Sequence, residues 1–457
     1  MKYDLSYLSV PLPEDVEKMK HYGDYEGAKE LIHFLLDKEA TPRALNKRLE
    51  IELETLTVMG MNEYPYSFEE AVALMKEAVQ DFEAVELEGL KATGKVDWMY
   101  VNGEPAFQRR FLANLVKTQK EYSERYRHVE ENNIESLRQV ELDENVVKMK
   151  EQGERKVSIH LKASIKVKKE YEKVGKKVKV YLPIPKDCQQ LSDIEIIQTS
   201  PEAIFIAPET EEQRTVCFET ILEEDQIFSV EYRYTNHVKY TELNPALAEA
   251  CDITTDLSEE LPHMAFTHYL RWLLEEILEG EGNPIKQSRL IFDFVTTKVN
   301  YSFMREYVTI PNISEYAAVN LKGDCGVQAI LFITLCRMAG IPAKWQSGLY
   351  VSSYYTGCHD WAQFYVAPYG WVFADLSFAG GAYRNGNLKR WDYYYGNLDV
   401  FRMVANSSIQ QDFNPSKQGF RADPIDNQRG EFEYEGLGLL YSQLDVTQEL
   451  IEMKEMR

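Results

Sequence analysis

The sequence has little positive charge for its negative, with a formal net charge of −23 and its basic run, KKEYEKVGKK, read as a solvated loop. That balance excludes a nucleic-acid partner, because phosphate binding needs grouped basic side chains. It equally excludes docking on an anionic membrane surface. No uninterrupted apolar run is long enough to span a bilayer. The opening residues, MKYDLSYLSVPLPEDVEK, lack both a basic n-region and an apolar h-region, so no signal peptide is expected. The six cysteines (Cys188, Cys217, Cys251, Cys325, Cys336, Cys358) form no CxxC pair and no metal-ligand spacing. Free thiols in a reducing cytoplasm are therefore expected. No segment recurs at a fixed period, although GDYEGAKELI has the look of a helical-repeat unit, and a solenoid is excluded.

What is present is a chain of 457 residues, too long for one ordinary core. With 44% hydrophobic residues it can bury several, and the pattern predicts a multidomain α+β protein. Residues 1–150 read as a helical domain, with apolar residues at three-and-four spacing in EDVEKMKHYGDYEGAKELIHFLLDKE, PRALNKRLEIELETLTVMG and SFEEAVALMKEAVQDFEAVELEGL. Ser67 and Glu70 make a capping-box pattern, and VDWMYVNGEPAF predicts a hairpin turning at Asn102-Gly103. From 155 to 240 the character changes. Short β-branched and aromatic runs such as KVSIHLKASIKV, KKVKVYLPIP and QIFSVEYRYTNHVKY predict an antiparallel β-sandwich. Residues 241–457 return to helices, then aromatic strands to about 380, then a loop-rich extension wrapped on the preceding domain. DVTQELIEMKEM predicts a closing helix.

The most informative stretch is NLKGDCGVQAILFITLCRMAGIP. Apolar Val327, Ile330, Leu331, Leu335 and Met338 fall on one helical stripe, and Gly340 and Pro342 supply the stop. Asp324 is a competent N-cap, which places Cys325 in the first turn. There, unpaired backbone N–H groups and the positive end of the dipole favour a thiolate and can hold an oxyanion. A base is offered by GCHDWAQFYVAPYGWVFADLSF. His359 opens one strand and Asp375 closes the next, so a hairpin centred on residue 367 brings them side by side. In that arrangement a carboxylate fixes the imidazole tautomer. Trp361 flanks the histidine on an apolar strand, where an unpartnered Asp375 would be costly.

Taken together, GDCGVQAILFITLCRMAGIPAKWQSGLY…HDWAQFYVAPYGWVFADLS resembles the transglutaminase-like core, a branch of the papain-like cysteine enzymes. The resemblance spans about residues 285–380, and the preceding sandwich resembles the β-domain found before such cores in bacterial members. It implies a papain-like α+β catalytic core with Cys325 as nucleophile, His359 as base and Asp375 as its orienting carboxylate. It implies a cysteine-dependent amide hydrolase, a peptidase or amidase, working through a thioester acyl-enzyme on a peptide or amide substrate. The alternatives are a transglutaminase or other acyltransferase passing the acyl group to an amine, and a non-catalytic binding protein on a relict core. The family also implies an upstream side chain that helps the oxyanion hole. No tryptophan stands at a comparable place, the nearest upstream being Trp272, so the candidates are Tyr301 and Gln328, with Asp324 and Trp361 flanking the triad.

No cofactor and no metal are expected. A zinc site from Cys325, Cys358 and His359 lacks a fourth ligand, and no Asp-rich loop has calcium-ligand spacing. His263 and His268 fall on the stripe of a core-covering helix and read as structural. Trp345, Tyr350, Tyr354, Tyr355, Trp391, Tyr393, Tyr394 and Tyr395 read as core and cleft wall. Arg421, Asp423, Asp426 and Arg429 form a charged run, either a surface ion network or a reach into the cleft. The helical N-terminus is the expected surface for a protein partner.

Overall fold

A computed structural model describes residues 3–456 apart from 39, 60–62 and 128. The chain divides into two compact units, one of residues 3–133 with 301–312 and one of residues 134–300 with 313–457.

The first unit is helical, as the three-and-four spacing requires. Its main helices are Glu14–Tyr22, Tyr25–Leu36, Arg43–Val58, Phe68–Ala78, Ala84–Ala92 and Phe111–Thr118. The capping box forms: Ser67 N–H donates to Glu70 Oε2 at 2.8 Å, and Glu70 N–H donates to Ser67 Oγ at 3.3 Å. Strands Trp98–Val101 and Glu104–Phe107 pair around Asn102 and Gly103. Both turn residues have positive φ, 51° and 77°, as a two-residue primed turn demands. Residues 301–312 belong here too. Asn114 Oδ1 accepts from Phe303 N–H at 3.0 Å, and Arg109 pairs with Glu306 at 2.7 Å.

The second unit begins inside the helix Val129–Gln152, whose tail from Ile134 packs with the strands that follow it. Asp143 pairs with Arg390 at 2.9 Å, and Asn145 Oδ1 accepts from Arg155 at 2.6 Å. The helical region and this unit therefore part at 133/134, where these polar anchors begin.

A sandwich follows. One sheet runs Leu444–Met456, Glu154–Val167, Phe228–Lys239, Leu191–Ser200. The other runs Leu437–Gly438, Glu431–Tyr434, Lys177–Pro183, Thr215–Ile221, Phe205–Ile206. Strand Glu154–Val167 buries Val157, Ile159, Leu161, Ala163, Ile165 and Val167, a strict period of two facing the core.

Three of these strands come from the C-terminal extension, which completes both sheets of the sandwich and is not merely wrapped on the preceding region. The expected closing helix is the strand Leu444–Met456. Val446, Leu450 and Met453 do carry helical spacing, but the open edge of Glu154–Val167 offers a ladder from Leu444↔Val167 to Met456↔Lys156. A bulge between Leu450 and Glu452 resets the phase so that pairing continues. Many long-range backbone bonds outweigh the weak local preference of one amphipathic segment.

A further five-stranded sheet is antiparallel, in the order Tyr395–Gly396, Gly370–Ala374, Thr356–Val366, Ala343–Val351, Arg402–Asn406. Helix Cys325–Met338 packs on its central strands, with Phe332 edge-on to Phe364 at 5.6 Å. This helix has more than one buried stripe: every residue from Gly326 to Arg337 is buried. Such all-round burial is what its uniformly apolar sequence selects. Gly340, at φ 79°, ends it as a left-handed cap, with Ile341 N–H returning to Cys336 O at 2.9 Å. The two histidines read as structural part company: His263 is fully buried ahead of helix His268–Leu278, whereas His268 is that helix's exposed first residue.

Candidate active site

Cys325 is the first residue of its helix, and Asp324 caps it, its carboxylate accepting from Val327 N–H at 3.3 Å. The turn before it is tied down by Gln328, whose Nε2 donates to Gly323 O at 3.0 Å. Gln328 is fully buried and its amide hydrogens serve that turn, while its Oε1 has no partner. The side chain thus acts as a strut of the loop. Tyr301 belongs to the first unit, edge-on to Phe303 at 5.5 Å.

His359 and Asp375 meet, but not in the predicted register. The hairpin turns one residue later than expected: Val366 pairs with Gly370 and Ala362 with Ala374. Asp375 lies just past the end of its strand, where it caps helix Leu376–Arg384 by accepting from Phe378 N–H at 3.0 Å. From there its Oδ2 reaches the Nε2 of His359 at 2.7 Å. The same oxygen receives Arg402 Nη2 at 2.8 Å, and Arg402 is also paired with Asp399. Asp375, Arg402 and Asp399 are all fully buried.

Burial alone would raise the Asp375 pKa, but His359 and Arg402 outweigh it and hold the carboxyl below its usual range. Burial lowers the pKa of His359, against the pull of Asp375. Phe378 lies against that ring at 4.4 Å and Trp361 at 6.0 Å. Trp361 is itself fully buried and donates to Gln346 Oε1 at 2.8 Å, which makes it part of the wall that orients the histidine.

Successive side chains on a strand leave opposite faces. Asp360, next to His359, reaches the cysteine: Cys325 Sγ donates to Asp360 Oδ2 at 3.1 Å. The thiol's hydrogen bond therefore goes to Asp360 and not to His359. Burial, then the carboxyl groups of Asp360 and Asp324, push the thiol well above its ordinary pKa. Burial leads these causes, and against them the helix dipole end carries only about half a charge.

Sequence reasoning passed over Asp360, Gln428, Arg402 and Asp399. The readable signal was an aspartate beside the histidine on an otherwise apolar strand. Of the charged run, Arg421 and Asp426 are buried, and Asp426 accepts from Ser347 Oγ at 2.7 Å.

Residues 271–376 match the family model of the transglutaminase-like superfamily. That stretch is a transglutaminase-like core. It holds the cysteine-headed helix, the histidine strand and Asp375 within one matched segment. Among solved structures, the chain is similar to a candidate cysteine protease from Cytophaga hutchinsonii, with 15% identity, 65% of this chain and 91% of that one covered, and a TM-score of 0.40. It is also similar to the periplasmic domain of TgpA from Pseudomonas aeruginosa, with 13% identity, 49% and 76% covered, and a TM-score of 0.28. No curated protein matches the chain. Among the described residues, no helix is long and apolar enough to cross a membrane, and no group of His, Cys, Asp and Glu is placed to hold a metal ion.

Proposed function

We propose that the transglutaminase-like core is a cysteine-dependent amide hydrolase, with Cys325 as nucleophile, His359 as base and Asp375 as the carboxylate that orients it. The observation that carries this reading is the buried His359–Asp375 bond of 2.7 Å, reinforced by Arg402 and set one residue from the side chain that touches the thiol. A neutral imidazole fixed by a carboxylate can accept a thiol proton and later return it to a leaving amine. In the reaction, Cys325 gives up its bond to Asp360, and because His359 leaves the strand on the other face, a local shift of that strand brings the imidazole to the sulfur to take its proton. The sulfur forms a bond to the substrate carbonyl carbon, and the oxyanion is received by N–H groups of the helix's first turn. The C–N bond then breaks, the amine departs with the proton, and water hydrolyses the remaining thioester to acid and free thiol.

A binding role on the same core is the reading favoured by a thiol that rests on Asp360. Turnover separates the two. A peptide and simple-amide panel should be hydrolysed by the full chain and left intact by Cys325→Ala. Absence of turnover across the panel, with no acyl-enzyme trapped by an amide-mimicking electrophile, would leave the binding role. Adding a primary amine during turnover tests acyl transfer: saturable amide product at millimolar amine would replace hydrolysis as the assignment.

A further inference from the structure

Asp360 is engaged well beyond its contact with the thiol. Its Oδ1 accepts from the Gln428 amide, and across the strands Asp360 is paired with Ser347, whose hydroxyl binds Asp426. Asp426 is in turn fixed by Ser347 Oγ at 2.7 Å and by Asn427 N–H at 2.6 Å. Both aspartates are almost fully buried, at 4% and 2% exposure. Two such groups sharing a buried site do not both ionise.

The charged surroundings are lopsided. Asp324 faces the pair from the helix terminus, beside Cys325. Arg421 stands behind Asp426, but its guanidinium is already committed to Glu431 at 2.9 Å and to the Asp426 carbonyl at 2.8 Å. Arg429 acts on Cys358, and His359, on the same strand, is taken by Asp375. Burial and the neighbouring carboxyl raise the pKa of Asp360, in keeping with a retained proton.

We propose that Asp360 and Asp426 form a one-proton carboxyl pair that sets the charge beside Cys325 and restrains ionisation of its thiol. This rests on the reading of Cys325 as the reactive thiol, and it makes Asp360 a positioning residue. The pair carries one negative charge shared between an oxygen touching the sulfur and a carboxyl further away. Moving that charge toward or away from the sulfur must move the thiol's titration in opposite directions.

The test follows iodoacetamide alkylation of the full-length protein against pH, with each cysteine resolved by peptide mass spectrometry. In the native protein the Cys325 midpoint should lie above that of Cys251, which is exposed and serves as the internal reference. Asp360→Asn leaves the charge on Asp426, so the Cys325 midpoint should fall by about one pH unit, with roughly tenfold faster alkylation at pH 7. Asp426→Asn confines the charge to Asp360, so the midpoint should rise. Shifts of the same sign in both variants, or none in either, overturn the proposal. So does a native Cys325 midpoint at or below that of Cys251, a comparison that needs no substitution. Alkylation reads the thiol without turnover, so an inactive protein with these shifts would refute the hydrolase alone, and an active one lacking them would refute the pair alone.

Discussion

Replacing Arg402 by methionine removes a guanidinium that faces both Asp375 and Asp399. Arg402 is fully buried, stands 2.8 Å from Asp375 and is bound to Asp399 as well. Methionine fills much of the same volume, so the change is mainly one of charge. Breaking a buried ion pair by deleting one partner costs about 3–5 kcal/mol, because the other charge stays desolvated. Here Asp375 keeps His359, whereas Asp399 keeps neutral donors, the Tyr394 hydroxyl at 2.9 Å and the Phe401 N–H at 3.0 Å, so about 4 kcal/mol at pH 7 is the expected loss.

The pH dependence has a definite sign. In the native protein the Asp375 pKa is depressed, so its contribution is present above the unfolded value and is lost only as pH falls through the lower, folded value. Without Arg402, burial prevails and the carboxyl is pushed upward. The variant then gains relative stability as pH falls and the carboxyl takes up a proton. Urea unfolding of both proteins, monitored by tryptophan fluorescence at pH 7 and pH 5, measures this directly. A loss below about 1 kcal/mol, or an equal loss at both pH values, would refute the argument that Arg402 neutralises the buried carboxylates.

The other predictions concern the reaction and the strand beside it. His359→Ala should reduce turnover about as far as Cys325→Ala, on the order of 10⁶-fold, and Asp375→Asn by roughly 10⁴-fold, since the orienting carboxylate is the least costly of such a set to lose. Steady-state rates on the best substrate check this, and a histidine variant retaining a tenth of native activity would mean that another base acts. Gly348→Ala should cost at least about 2 kcal/mol, because a Cβ there would stand 2.0 Å from the backbone oxygen of Met403, with no flexible side chain to give way. Chemical denaturation reads it; an unchanged midpoint would show that strand Arg402–Asn406 can shift away.

The helix headed by Cys325 was legible because each of its ends sits at a local signal. Asp324 before an apolar run marks a helix start, Gly340 with Pro342 marks its end, and both signals act over single turns of backbone. The Asn102-Gly103 turn and the Ser67–Glu70 capping box were readable for the same reason, as was the alternation of Glu154–Val167. Tertiary structure decided everything that depended on a partner distant in sequence. Leu444–Met456 has a helical pattern of its own and became a strand only because the edge of Glu154–Val167 was there to bond it. The hairpin register differs by one residue from the symmetric reading, which moved Asp375 off the strand and into a cap position from which it still reaches His359. Arg402 joined Asp375 from a strand on the far side of the sheet, and Asp426 joined Asp360 from the loops after it. Local sequence sets backbone propensity and places single side chains, but the charge beside a half-buried thiol is a sum over groups that only the folded chain brings within a few ångströms.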